Sequence, residues 1–502
     1  MNIRLNSGTR RTASKNVVLQ LLHTNDMHGS LEPVSDRVIL GEKTKLGGSA
    51  YLAGLIEETR DDLPNTLVLD AGDSVSGQIS SDLNSGRSMV KAMNEMHYSA
   101  ATIGNHDFDF YVQSLLERLE MAEYPMIVSN VSMQDGSPLP NTERSKILET
   151  PDLKVGVVGL LTEDMEEVTI AEKRAGIRFE DPEDALEREL PKLRKQGADV
   201  IVVLSHNGLE EDVDLAEDFP NEQLVILGGH SHDRLTEPVE VDGNYIFQAG
   251  SHGKELGKVL VEVDPIHNRI VEVDSELLLV DPGQVQPDPE VSELVDHYTE
   301  QAERAMGAVV GRAPAALTRR YNTDSLLGNW VTDAMRSRLG TDVALMQSDG
   351  LRADLQAGDI TKGGVREIRP FEGMFLWKGE LSGKALKEVL EHSTTFREVE
   401  PGGRSSFLQV SGIEFSYDAN RREGDRVVDV SIGGKPLQLN KTYSVATENY
   451  LGSGQLGYEA MTEGDYQETG LTTREVLEEY ASAYSPQALE EGARIHDLTG
   501  AV

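Results

Sequence analysis

The chain has 502 residues, 86 of them Asp or Glu against 47 Lys or Arg, for a formal charge of −39, with 38% hydrophobic residues and no cysteine. This length exceeds what one hydrophobic core serves, so two domains are expected, and the charge repels polynucleotide backbones and anionic membrane surfaces, which argues against both as partners. Without thiols, any metal must be held by His, carboxylate or amide groups.

The acidic residues fall in short runs such as Glu210-Glu211-Asp212, with no low-complexity tail. The sequence therefore reads as a folded protein with an acidic surface of the halophilic type, suited to a salty solvent that screens self-repulsion. Residues 1–16 are polar, include Arg10-Arg11 and contain no apolar stretch of signal-peptide length. They are read as an N-terminal extension, and the sequence as it stands as cytoplasmic, with an extracellular or cell-surface location requiring earlier processing. Nothing approaches the roughly 18 uninterrupted apolar residues of a membrane span.

From Val17 onward, apolar runs alternate with polar clusters. Val17 to Leu22 leads into His23-Thr24-Asn25-Asp26, and Thr66 to Leu69 into Asp70-Ala71-Gly72-Asp73. Val200 to Leu204 leads into Ser205-His206-Asn207, and Leu224 to Leu227 into Gly228-Gly229-His230. Short bounded β-branched runs of this kind read as buried strands. Ala50 to Arg60 and Asp184 to Gln196 read as helices between them, so the alternation predicts an α/β fold of sheets covered by helices. Ligands in such folds gather beyond the carboxyl ends of the strands, where the polar clusters fall. The turn-rich stretch 281–289 and the charged, periodic helix from Glu290 to Met306 mark a boundary. The expected organisation is a catalytic domain over 17–285, a linker helix over 286–306 and a smaller domain over 307–502. In the last, helices are expected at Ser325 to Leu339 and Gly383 to His392, and strands at Val343 to Met346 and Phe407 to Phe415.

Six of the twelve histidines, His23, His28, His106, His206, His230 and His232, lie in four such polar clusters. One strand-end Asp or His is ordinarily a turn former or a solvated group, but a core has no reason to collect six. Asp26-Met27-His28 lets a carboxylate and an imidazole face one ion, and glycines beside Asp73 and Asn105 permit close backbone approach. Two divalent cations about 3.5–4 Å apart need a bridging anion, which a shared Asp supplies, and an open face for substrate oxygen. His, Asp and neutral Asn ligands leave the cluster positive, able to hold a phosphate dianion and to lower the pKa of a bridging water. His106 is adjacent to such a ligand yet cannot easily share its direction, which leaves it available to donate a proton.

Five segments carry a family resemblance: Leu21-Leu22-His23-Thr24-Asn25-Asp26-Met27-His28, Gly72-Asp73, Gly104-Asn105-His106-Asp107-Phe108-Asp109, Ser205-His206-Asn207-Gly208 and Gly228-Gly229-His230-Ser231-His232. In order, they resemble the motifs of the calcineurin-like metallophosphoesterases and, more narrowly, of the 5′-nucleotidase/UDP-sugar hydrolase family. The resemblance implies a four-layer β-sandwich flanked by helices, followed by a smaller α/β nucleotide-binding domain. It implies two divalent ions, with Asp26, His28, Asp73 and His232 on one and Asp73, Asn105, His206 and His230 on the other. Zn, Mn or Co suit these donors. His106 would stabilise the transition state and Asp109 would orient His106.

In the second half, Gln347-Ser348-Asp349-Gly350-Leu351-Arg352 resembles the family's Asn-Gly-Gly-Gly-Ile-Arg motif, whose Arg helps to bind substrate; Gln347 and Asp349 replace an amide and a glycine. Phe407 and Tyr458 occupy the positions of the family's two base-clamping aromatics. By themselves, Phe407 reads as strand core and Tyr458 as a loop anchor; the resemblance instead implies stacking on a nucleobase. The activity implied is hydrolysis of nucleotide phosphate esters, foremost that of a 5′-nucleotidase releasing nucleoside and phosphate. Alternatives are a 2′,3′-cyclic-nucleotide phosphodiesterase/3′-nucleotidase, a UDP-sugar diphosphatase or, from another class, a non-catalytic nucleotide-binding protein. The expected partner is a small nucleotide, with no nucleic acid and no membrane; the oligomeric state is open.

Overall fold

The computed structural model describes residues 16–36, 39, 44–60, 62–165, 169, 171–371, 373–396, 405–483 and 494–499, so the expected N-terminal extension lies outside the described residues apart from Asn16. The chain divides into two units, the first ending at Ala302 and the second beginning at Glu303. The division falls inside helix Pro289–Met306, whose Val291 is buried in the first unit's core with Leu294, Val295 and Tyr298 packed against it.

In the first unit, Val17–Thr24 pairs in parallel with Thr66–Asp70, which continues in parallel through Ala100–Ala101 and Met126–Ile127 to Thr142–Glu143. Antiparallel strands Glu255–Asp264 and Arg269–Leu279 extend the other side into a seven-stranded sheet. A second sheet has a parallel core of Lys154–Leu161, Val200–His206, Leu224–Gly228 and Asn244–Phe247, with antiparallel edges Ser145–Glu149 and Val239–Val241.

The two-residue alternation of strand side chains builds the layers. Leu19, Leu21, Leu67 and Leu69 of the first sheet share one core with Val155, Val157, Val202, Leu204, Val225 and Leu227 of the second. The alternate residues Leu22 and Val68 face helices Ser49–Arg60, Arg87–Glu95 and Tyr111–Met121, while Val158, Ile201, Val203 and Ile226 face helices Pro182–Gln196 and Leu209–Asp218. Helix, sheet, sheet and helix thus form the expected four layers. The parallel strands are apolar over most of their length because both their faces are covered.

The second unit is built on a mixed sheet ordered Leu408–Ser411, Val343–Gln347, Thr442–Glu448, Phe375–Ser382, Gln467–Thr472. Val343, Leu345, Val410 and Val445 face one core; Ala344, Met346 and Ala446 face another that contains Trp330 of helix Leu326–Leu339. Ser325 caps that helix by accepting from the Gly328 amide. The single strand expected from Phe407 to Phe415 is two, Leu408–Ser411 and Ile413–Tyr417, in different sheets. Gly412 between them has φ 77°, and a Cβ there would run into the Asp342 carbonyl, so the chain turns at the one residue type that fits. Among the described residues no helix is long and apolar enough to cross a membrane.

Candidate active site

The loops after the parallel strands of the first unit bring the expected ligands together. Asp26 and His28 follow Val17–Thr24, and their amides donate to the Gly72 and Asp73 carbonyls at 2.9 Å each. Asp73 follows Thr66–Asp70, Asn105 opens the short turn Asn105–Phe108, and His206 ends its own strand. A Cβ on Gly104 would collide with the Asp73 carboxylate, so glycine lets that turn close on it. Asp26, His28, Asp73, His230 and His232 all have left-handed backbone, with φ from 47° to 74°. Non-glycine residues there carry strain of order 1–3 kcal/mol each, a cost concentrated at functional sites.

Three sets of donor atoms lie mutually within 4.8 Å: Asp26, His28 and His232; Asp73, His206 and His230; and His28, Asp73 and His106. His28 Nε2 and His232 Nε2 face each other at 2.9 Å, and His232 Nε2 is 3.3 Å from Asp26 Oδ1. His206 Nδ1 donates to the Ala71 carbonyl at 2.8 Å, which leaves Nε2 as the ring atom turned toward Asp73. That nitrogen is buried 3.1 Å from Asp73 Oδ2 without a well-directed hydrogen bond. Burial opposes charge on His206, but the Asp73 carboxylate outweighs it and raises its pKa to about 10; Asp73 itself is held well below the usual carboxylate range, against its own burial, by His206. Inward-facing nitrogens, close carboxylates and an orphaned buried Nε2 are what a divalent cation pair requires, so these residues fit one. Asn105 Oδ1 is 2.9 Å from His230 Nδ1. Asn25, which composition alone does not flag, donates to Asp26 Oδ2 and to the Gly250 carbonyl at 2.7 Å each, orienting that carboxylate.

His106 stands at the edge of this group with its side chain 43% exposed. Its amide donates to Asp73 Oδ1 and its Nδ1 lies 2.8 Å from Asp109 Oδ2, which also accepts from Ser76 Oγ at 2.6 Å. Burial works against charge on the ring, but the Asp109 hydrogen bond and the Asp73 carboxylate raise its pKa to about 9.

His23 does not join the group. It is buried over Gly257 of the neighbouring strand, and burial lowers its pKa to about 4. His252 joins it unforeseen: its ring centroid is 5.3 Å from that of His28 and 6.2 Å from that of His232, and its backbone is left-handed, φ 61°. Its only sequence signal is its place, in Ser251-His252-Gly253 after another apolar run.

In the second unit, Gln347 completes its strand and Asp349 Oδ2 accepts from Ser406 Oγ at 3.2 Å, so both altered motif residues serve the local fold. The Arg352 guanidinium carbon sits 4.7 Å from the centre of the Phe371 ring, with its Nε enclosed and without a hydrogen-bond partner. Phe407 and Tyr458, which the resemblance places against a nucleobase, present no free ring face to solvent. Phe407 is 0% exposed and Tyr458 1%, both within one apolar cluster. Tyr458 donates its hydroxyl to the Ser406 carbonyl at 2.7 Å and is stacked against Phe396 at 5.9 Å. The apolar core of the second unit claims both rings, as the residues read alone would suggest.

Residues 19–234 match the calcineurin-like phosphoesterase family and residues 307–463 the 5′-nucleotidase C-terminal domain. The crystal structure of a 5′-nucleotidase precursor from Thermus thermophilus is 30% identical, with a TM-score of 0.64 over 96% of this chain and 99% of that one. In Bacillus subtilis strain 168, endonuclease YhcR is 29% identical over 92% of this chain and trifunctional nucleotide phosphoesterase protein YfkN 30% over 90%. This chain spans only 39% and 33% of the length of those two proteins.

Proposed function

Since the chain belongs to the 5′-nucleotidase family of calcineurin-like phosphoesterases, we propose that it is a metal-dependent hydrolase of nucleotide phosphate esters, foremost a 5′-nucleotidase releasing nucleoside and phosphate. The observation that carries this reading is the convergence of donor atoms from Asp26, His28, Asp73, His206, His230 and His232 within two small sets. In our assignment Asp26, His28, Asp73 and His232 hold one ion and Asp73, Asn105, His206 and His230 the other, with Zn, Mn or Co suited to the donors. Two such ions when bound polarise the phosphoryl oxygens and lower the pKa of water.

The chain's own residues supply the rest. His106 keeps one ring proton on the Asp109 carboxylate, which fixes the ring and favours its protonated form, so Nε2 can give a proton to the leaving oxygen. Asn25 and the Gly250 carbonyl hold Asp26 in place. Arg352 offers the second unit's anion-binding group. The formal charge of −39 favours a mononucleotide over a polynucleotide substrate, although one relative is called an endonuclease.

The test is phosphate release from 5′-nucleotides, 3′-nucleotides, 2′,3′-cyclic nucleotides, UDP-sugars and single-stranded DNA, with Zn, Mn or Co at low and high salt. Greatest kcat/KM on a 5′-nucleotide is expected. Preference for the polymer would sink the substrate assignment, and no metal-dependent turnover on any of them would sink the hydrolase.

A further inference from the structure

We propose that Phe371 is a positioning residue for nucleotide binding: it holds the Arg352 guanidinium by its ring face and is itself anchored by the buried Arg369–Glu448 pair. This rests on the reading of Arg352 as a substrate-binding group.

The ring of Phe371 takes a guanidinium from each of two arginines, each 4.7 Å from its centre. The two differ in everything else. Arg369 is 2% exposed and neutralised: its Nε donates to Glu448 Oε1 at 2.8 Å, a second nitrogen bonds Oε2, and a third donates to the Gly350 carbonyl at 3.0 Å. Thr473 Oγ1 closes the network by donating to Glu448 Oε1 at 2.6 Å. Arg369 is therefore structural, tying the turn Ser348–Gly350 to strand Thr442–Glu448.

Arg352 has no such partner. In a chain with 86 acidic residues, none of the described carboxylates pairs with it, and its enclosed Nε has no acceptor. Its backbone is fixed, the amide donating to the Ile368 carbonyl at 2.9 Å. Its side chain is steered by the Phe371 face, because a cation prefers the negative face of an aromatic ring. A ring contact orients the planar fork without consuming its N–H donors, as a carboxylate would, so the fork stays available for a substrate oxygen. Phe371 supplies orientation without neutralisation, and the Arg369 guanidinium, fixed by Glu448, holds the ring in register.

The sequence places Phe371 in Arg369-Pro370-Phe371, where it reads as an ordinary loop aromatic. Only the fold brings two guanidiniums to its ring.

The experiment is a double-mutant cycle on the full chain loaded with metal, measuring KM and kcat for the best 5′-nucleotide. Phe371→Leu keeps apolar bulk but removes the ring; its KM is expected to rise about tenfold, kcat falling less, as loss of one oriented cation–ring contact predicts. Phe371→Tyr is expected to restore KM to within about threefold, because any ring face serves. In an Arg352→Ala background Phe371→Leu should add nothing, since it acts through that arginine. Additive losses, or equal losses for Leu and Tyr accompanied by a lowered Tm, overturn the proposal and make Phe371 a packing residue. If Arg352→Ala alone leaves KM unchanged, the reading of Arg352 fails, and the positioning role falls with it.

Discussion

His206 Nε2 lies 3.1 Å from Asp73 Oδ2, both side chains are sealed from solvent, and the other ring nitrogen is committed to the Ala71 carbonyl. The pair brings the ends of two strands from different sheets to one point, Thr66–Asp70 in the first and Val200–His206 in the second. A buried carboxylate and a ring nitrogen this close need a positive charge, either a proton on the ring or a cation between or beside them, and a metal ion supplies it without that proton.

Asp73→Asn is therefore expected to lose both equivalents of metal on dialysis, and His206→Ala one, as counted by inductively coupled plasma mass spectrometry. Chelation should lower the Tm of the parent, because an ion that binds only the folded chain stabilises it by mass action. Two metals retained by the Asp73→Asn protein would remove Asp73 from the bridging role proposed for it.

His106→Ala should lower kcat by about 10²–10⁴-fold, the range for loss of a proton-donating group, with metal content unchanged. Asp109→Asn, which keeps the shape but not the charge that orients His106, should cost less. Metal loss in the His106 variant would make it a ligand or a support for Asp73, whose Oδ1 its amide contacts at 2.8 Å.

Asp212 gives a pH signature. Burial pushes its pKa up to about 7, against the hydrogen bond from Ser205. The folded chain thus keeps a proton that the unfolded chain loses above about 4, the ordinary Asp value. Its contribution to stability is complete below that pH and lost as pH rises through 7. Asp212→Asn removes the titration, so its Tm should fall less than the parent's between pH 5 and pH 8, by about 2–4 °C. Parallel curves would show that Asp212 stays ionised or finds another partner.

Phe407→Ala should destabilise the second unit by about 3–5 kcal/mol, the usual cost of emptying a buried aromatic site, seen as a lower urea midpoint. An unchanged midpoint with a raised nucleotide KM would instead place the ring against a base, as its family position implies.

Stability should rise from dilute buffer into molar KCl, because screening relieves the repulsion among charges summing to −39. Thermal midpoints across a salt series check this; a maximum in dilute buffer would count against the saline reading of the surface.

Much of the first unit is legible in the sequence because its signals are local. The run Val17 to Leu22 predicts a strand without knowledge of its neighbours, and the polar cluster after it must lie at the strand end, where such folds bind ligands. The helix from Ser325 is equally legible, since its cap lies three residues from the amide it satisfies. What resisted was set by partners distant in the chain. His23 and His28 stand in one motif, yet Gly257 draws the first into the core while the second meets His232.

Sequence alone determined the layered α/β architecture, the order of its candidate metal-ligand motifs and the residue types able to do this chemistry, because periodicity and donor chemistry belong to short segments. Tertiary structure decided which donors meet, that Phe407 and Tyr458 are enclosed, that Gly412 splits one expected strand into two sheets, and that Arg352 finds an aromatic face. Each of these depends on which surfaces the remaining chain covers, and burial is a property of the packed fold that no single segment carries.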